Sequence, residues 1–413
     1  MRVWLIKIGE VLPIDGENPR LYRMGMLANY LIEQGHEVVW WASDFDHFQR
    51  KHRFDKDQVI NLKDCCQLVL MNSMGYSKSV SVRRLLDHCL IAKKFKKMAS
   101  FFAPPDLILC SMPTIELARE AIRYGRLNNV PVVLDLRDLW PDIFLRSFSK
   151  GLRPICKKIM WPYYRQLKQA IRSATAVTGI TQQVIDWGLK LSGRKTCKND
   201  QPFYLACKKY QYQESKETRD FWARYGVGPG FHKKVICFIG SMSRQFDFDT
   251  IINVARKLKN VTDYYFVMCG NGEFLEGLRK KTTDCSNIVF PGRLDGAQIQ
   301  YLLNYSYIGL APYQPTIDFL MSLPNKIGEY FSAGLPVVAG IDGVIGNVLQ
   351  QNRCGVIYDY KDEHKLYDVL FEFYSQPDVI KKMSEQAMSF YNKELSADVV
   401  YPRMVKWLES ISV

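Results

Sequence analysis

Two Rossmann-like, doubly wound α/β domains are the fold this sequence predicts, and three observations predict it. At 413 residues the chain is long for one domain, so two units of about 200 residues are expected. Short, nearly continuous apolar runs alternate with helical patterns, as in a parallel sheet covered on both faces. That rhythm runs twice, fading between Ser192 and Lys234 and restarting at "KVICFIGSM".

In order along the chain, "RVWLIKI" reads as a first strand, Leu21–Glu33 as a helix stopped by Gly35, and "HEVVWWAS" as a second strand. "DLILCSM", a helix over Ile115–Asn128, "VPVVLDLR", a long basic helix from about Leu152 to Ser173 and "TAVTGIT" complete the first half. The first domain is therefore set at 1–200. Residues 201–232, polar, Lys-rich and punctuated by Gly and Pro, read as a linker. The second domain, 233–393, carries "KVICFIGSM", "YYFVMCG", "NIVFPGR", "YIGLAPY", "LPVVAGI" and "CGVIYDY", each followed by a helical pattern. A last helix, over about 394–413, is expected to return to the first domain.

Composition narrows the setting. No run of about 18 apolar residues exists to span a membrane, and no signal peptide is expected. Eleven scattered cysteines without metal-ligand spacing fit reduced thiols in a cytoplasmic protein. The net charge is +14, and residues 1–200 hold +13 of it, so an anionic surface should face the first half. "RRLLDHCLIAKKFKKMASFF" and "LRSFSKGLRPICKKIMWPYYRQLKQAIR" interleave cations with large apolar residues, a pattern that suits docking on an anionic leaflet. The same pattern fits two ordinary surface helices with core-facing stripes. No nucleic-acid-binding motif accompanies the charge, so no nucleic-acid partner is expected.

In open α/β sheets ligands bind beyond the carboxyl ends of the strands. "FIGSMSRQFD" places Gly240, Ser241 and Arg244 there, where exposed amides and a cation suit a diphosphate. "CGNGE", with Gly270, Asn271 and Gly272, is a second such turn; "PGRL" and "APYQP" end two more strands. The stretch "SLPNKIGEYFSAGLPVVAG" has the same address. Its Asn325 and Lys326 offer a helix N-terminus to phosphate, and Glu329 one turn in could accept both hydroxyls of a ribose. A surface Glu beside a packing stripe of Ile327, Tyr330 and Phe331 would give the same spacing.

This string resembles the "P-x-K-x-x-E-x-x-x-x-G-x-P-V-[IV]-A" signature of family 4 retaining glycosyltransferases of the GT-B fold. "IEQGHEVVW", "LDLRDLWPD", "GNGEFLEGLR" and "VFPGRLDGAQIQYLLNYSYIGLAPY" resemble further segments in order, and "RDLWP" is similar to the branch building bacterial O-antigens and capsules. The resemblance implies two domains facing a central cleft and transfer of a sugar, with retention, from a UDP-sugar to a lipid-linked saccharide at the inner face of the plasma membrane. It implies that Glu329 holds the donor ribose, that Asn325 and Lys326 lie near sugar and diphosphate, and that Leu294, after Arg293, meets the base. Gly240, Ser241 and Asn271 would border the diphosphate, with Arg244 as its cation. Arg137 or Asp138, with Lys326, would act at the reacting centre, and the loop with Glu17, Asn18 and Arg20 would touch the acceptor. An Asp138 helix cap and an Arg137–Asp ion pair are the structural alternative for that segment, and a solvated loop for the other. No metal or other cofactor is expected.

Two departures from the family pattern stand out. Met321 occupies the position where many members have a Glu that contacts the transferred sugar, with Asp318 nearby. Ser241 and Phe246 stand where an Arg and a Lys are usual. A nucleotide-sugar epimerase of the same architecture and a catalytically silent binding subunit are the rival readings.

Overall fold

The structure, a computed structural model, describes residues 1–17, 19–63, 65–78, 81–145, 148–209 and 215–412. The chain divides into two compact units, residues 1–204 with 400–413, and residues 205–399.

The first unit is built on β1 (Arg2–Ile6), β2 (Glu37–Ser43), β3 (Gln58–Lys63), β4 (Cys66–Met71), β5 (Leu107–Ser111), β6 (Val132–Leu136), β7 (Ala176–Gly179) and β8 (Gln201–Pro202). Their order across the sheet is β8-β7-β6-β5-β1-β2-β4-β3. All neighbours run parallel except β3 against β4. The central strands are apolar without alternation because both faces are covered: Val3, Trp4, Leu5 and Ile6 are all fully buried. Trp4, Trp41 and Phe95 form an aromatic knot against one face, with ring centroids 5.0–6.2 Å apart. The C-terminal helix Ala397–Ser412 brings Tyr401 onto Tyr30, stacked at 5.4 Å, and Trp407 Nε1 donates to the Asn199 carbonyl at 3.0 Å.

The second unit carries β9 (Lys234–Ile239), β10 (Tyr264–Cys269), β11 (Ile288–Gly292), β12 (Ser306–Ala311), β13 (Val337–Ala339) and β14 (Gly355–Ile357), all parallel. The order β11-β10-β9-β12-β13-β14 reverses direction between β9 and β12, and such a reversal opens a crevice at the strand ends.

Two expectations need correction. Residues 205–232 are not a free-standing linker but belong to the second unit. Ser215 caps the helix Lys216–Ala223, whose Trp222 is fully buried, stacks on Tyr301 and donates from Nε1 to the Gln298 carbonyl at 3.0 Å. The single basic helix expected from Leu152 to Ser173 is broken at Met160 into Arg153–Ile159 and Trp161–Ser173. Pro162 has no N–H to continue the first segment's ladder, so it opens the second instead.

Candidate active site

The reversal point of the second unit is clamped by a tyrosine. Tyr330, on the helix Asn325–Ser332, accepts the Ile239 N–H at 3.1 Å and donates to the Leu310 carbonyl at 3.2 Å, joining the tips of β9 and β12. Its ring lies so close to Gly309 that a Cβ there would come within 2.5 Å of it. The helix is thereby held across the crevice with Asn325 exposed at its first turn. Ile327, Tyr330 and Phe331 are fully buried, and Glu329 keeps only 9 % exposure. The packing stripe is real, yet Glu329 is not a surface residue.

Lys326 is placed unexpectedly. Its ammonium lies 4.1 Å from the Phe238 ring centroid, 4.1 Å from Phe246 and 5.1 Å from Tyr313. Nζ is buried and has no hydrogen-bond partner among the described residues. Burial lowers its pKa to about 7, against the opposing charge of Glu329. Aromatic faces replace carboxylates as its partners. Phe246, which stands where the family has a cation, is one wall of this cage.

Gly240 has a different task from the one expected. A Cβ there would sit 2.6 Å from Lys326 Nζ, so the missing side chain makes room for the ammonium. The Gly240 amide is not free for a diphosphate: it donates to the Cys269 carbonyl at 2.9 Å. Gly270, with φ +138, donates to Gly292 at 2.7 Å, and Met242 donates to the Asn271 carbonyl at 2.9 Å. These bonds knit the ends of β9, β10 and β11 into a rim. A Cβ on Gly270 would fall 1.6 Å from the Gly240 oxygen, so only glycine allows that closeness.

Around this rim Ser241, Asn271 and Arg293 are exposed and Leu294 is half-buried. Arg244 projects into solvent, its side chain 83 % exposed and 3.5 Å from Glu273. It borders a cavity of about 410 Å³ that Phe246, Phe248, Phe274 and Tyr360 also line. Arg244 is thus a solvent-exposed cation at the edge of the rim, paired in this structure with Glu273. Asp318 sits half-buried in the short helix Ile317–Leu320, and Met321 ends it.

The first unit has a rim of its own. Arg23 grips Asp135 with two bonds of 3.1 Å and donates to the Phe203 and Tyr204 carbonyls, all within the core. Asp142 accepts from the Tyr164 hydroxyl and from Trp187 Nε1. Both carboxylates are structural. Arg137 pairs with Glu10, which also accepts the Met24 N–H at 3.1 Å. Burial opposes the Arg137 charge, but Glu10 and Asp135 outweigh it and raise its pKa. Arg137 therefore has its carboxylate from the loop after β1 rather than from a neighbouring Asp.

Asp138 caps no helix, since the next one begins at Asp142, and its side chain is exposed. Beside this group lies Lys7, at the end of β1, which the sequence reading passed over. Burial, then the Arg137 charge, lowers its pKa to about 8 against Glu10 and Asp138. Its signal was a lone Lys ending an otherwise apolar strand. Glu17 and Arg20 are exposed in the loop that follows β1, and Asn18 lies outside the described residues. That loop is anchored by Asp15, bidentate to Arg53 at 2.6 Å.

Among the described residues no group of three or more His, Cys, Asp or Glu side chains could hold a metal ion. No described helix is long and apolar enough to cross a membrane.

Residues 233–376 match the family model of Glycosyl transferases group 1. No curated protein matches the chain. Solved structures do, over nearly the whole length. The sucrose-phosphate synthase of Thermosynechococcus elongatus superposes with a TM-score of 0.71 at 11% identity, covering 99% of this chain and 98% of its own. HepE of Anabaena, in complex with UDP, gives 0.65 at 14% identity, with 99% of each chain covered. WaaG, a glycosyltransferase involved in lipopolysaccharide biosynthesis, gives 0.64 at 14% identity and the same coverage. At such identities the likeness establishes the fold, that of GT-B glycosyltransferases, with two Rossmann-like units. The group 1 domain carried by the second unit makes the chain a glycosyltransferase.

Proposed function

We propose that this glycosyltransferase takes a UDP-sugar on the rim of its second unit and passes the sugar to a lipid-linked saccharide recognised by its first. The observation that carries the donor half is Glu329: a carboxylate buried one turn into a helix pinned at the crevice of the sheet. In that position it accepts the two ribose hydroxyls, while Leu294 and the backbone after Arg293 border the base. The diphosphate approaches Ser241, Asn325 and Lys326, with Arg244 swinging in from the edge. UDP in the HepE complex is the relevant precedent among similar folds.

In the transfer, an acceptor hydroxyl oxygen bonds to the anomeric carbon as its bond to the β-phosphate oxygen breaks. The hydroxyl proton passes to the departing diphosphate, and positioning with charge stabilisation supplies the rate. Arg137 and Asp138 orient the acceptor, and retention of configuration follows from attack on the face the diphosphate leaves.

The acceptor's lipid linkage is supported by the surface of the first unit. The helix Arg153–Ile159 buries none of its residues, and Leu152, Ile155, Ile159 and Trp161 are 50–73 % exposed beside Lys157 and Lys158. Such a basic apolar face suits an anionic leaflet and supports peripheral docking on the inner side of the plasma membrane during surface-polysaccharide assembly. The test has two arms. Release of UDP from UDP-glucose or another UDP-sugar should disappear in Glu329→Ala, and flotation with phosphatidylglycerol vesicles should fall in Ile155→Ser/Ile159→Ser. Undiminished UDP release in the Glu329 variant would refute the donor assignment; unchanged flotation would refute the membrane face.

A further inference from the structure

The connection from β2 to β4 departs from the plan of the rest of the first unit's sheet. The two strands are parallel neighbours, yet the chain passes between them through the antiparallel edge strand β3, where a crossover helix is usual. Ser43 and Met71 end β2 and β4 side by side, and β3 begins opposite Leu70. Residues 44–57 therefore lie on the edge where such sheets take ligands. There they fold back on themselves. Phe45–Asp46 pairs antiparallel with Lys51–His52, and residues 47–50 make the turn.

This hairpin is locked from below. The Asp46 carboxylate accepts the Phe48 and Gln49 amides at 2.7 and 2.9 Å, and its carbonyl accepts the Arg50 amide at 2.9 Å. Phe45 is buried against Tyr76 and His52, with ring centroids 4.9 and 5.1 Å away. A Cβ on Gly75, which has φ +62, would come within 2.7 Å of the Phe45 ring. At the hairpin's base, Arg53 grips Asp15 and so ties the turn to the loop that carries Glu17 and Arg20. The tip of this fixed turn is an apolar ring. Phe48 is 56 % exposed, with Tyr22 6.1 Å away and His47 nearly perpendicular to it at 5.5 Å. Gln49, next along the turn, is exposed as well.

An aromatic ring on a rigid turn loses little freedom on binding, and it presents a negative π face. A pyranose carries carbon-bound hydrogens on its ring faces, made positive by the neighbouring oxygens, and hydroxyls around its rim. A ring face beside an amide side chain matches both parts, the usual division of labour in a small-ligand site. A lipid leaflet would need a wider apolar face than one ring followed by a glutamine. We propose that Phe48, backed by Tyr22, is a stacking platform for a pyranose ring of the acceptor, with Gln49 bonding its hydroxyls. This rests on the reading that the first unit recognises a saccharide acceptor, and it adds a sugar subsite to that reading.

The test is saturation-transfer NMR on the full chain saturated with UDP, so that the second unit is filled. Its probes are methyl β-D-glucopyranoside, methyl β-D-galactopyranoside, methyl α-D-mannopyranoside and methyl α-L-rhamnopyranoside. At least one should receive transfer, strongest at the hydrogens of one ring face. Phe48→Ser should cut that transfer by about 3- to 10-fold, and Phe48→Trp should keep it. Phe48 is exposed, so neither substitution disturbs the core, and the UDP affinity of both variants should equal the parent's. Transfer undiminished in Phe48→Ser overturns the platform; if Asp138→Asn then removes it, the acceptor reading itself survives. No transfer to any of the four probes overturns both.

Discussion

Arg137 in the first unit and Lys326 in the second are both buried cations at strand ends, and the fold treats them in opposite ways. Arg137 is clamped by Glu10 and held above its ordinary pKa. Lys326 meets Phe238, Phe246 and Tyr313 and falls to about 7. A carboxylate partner makes a charge permanent and expends its hydrogen bonds. An aromatic cage leaves the ammonium's donors unspent, so an arriving diphosphate can recruit them at the cost of an unfavourable resting state. The first unit's rim is therefore built for fixed geometry, with Arg23–Asp135 beneath it, while the second unit's rim keeps a tunable charge in reserve.

Breaking the clamped side should produce the largest change. Arg23→Met leaves Asp135 fully buried without its partner, and about 3–5 kcal/mol of stability should be lost. Urea denaturation would show this as a lower midpoint with the proposed UDP site of the second unit intact. An unchanged midpoint would mean the pair is not formed. Next comes Gly240→Ala, whose Cβ would crowd Lys326 Nζ at 2.6 Å and Phe238 at 3.0 Å. Overpacking of that kind costs about 1–3 kcal/mol and should weaken UDP binding as Lys326 is displaced.

Lys326→Met sharpens the comparison because its sign is reversed. The folded-state pKa is about 7 against 10.5 in the open chain, so the unfolded state binds the proton more strongly. The charge penalty is fully present below pH 7 and disappears as pH rises through 10.5. Relative to the parent, the variant should therefore gain stability as pH falls from about 10.5 to 6, by several kcal/mol at about 1.4 kcal/mol per pH unit of that window, while binding UDP less well. A variant less stable at pH 6 would show that the aromatic cage outweighs desolvation. Smallest of all, Arg244→Ala should alter stability by less than about 0.5 kcal/mol, because its ion pair with Glu273 is exposed on both sides. Its effect belongs to UDP affinity alone.

Much of this layout was legible in the sequence because it is local. Apolar strands, the glycines at their ends and the helix carrying Glu329 all lie within short windows, and parallel topology follows from their alternation. What escaped is what long-range packing decides. The cage around Lys326 draws on Phe238, Phe246 and Tyr313 from three separate segments, so no spacing announces it. Gly240 reads as a phosphate turn although its amide is taken by Cys269 and its empty face by Lys326. The polar stretch before Lys234 reads as linker because a single fully buried aromatic, Trp222, secures its helix. The antiparallel strand β3 is half polar and presents only weak alternation.

Glu329 at the crevice of the second unit is the proposed ribose ligand. Calorimetric titration of UDP into the parent protein and into Glu329→Ala tests that most directly. Loss of a charge-assisted hydrogen-bond pair should weaken binding by about 10- to 100-fold while the melting midpoint stays near that of the parent. Equal UDP affinity in the two proteins would contradict it.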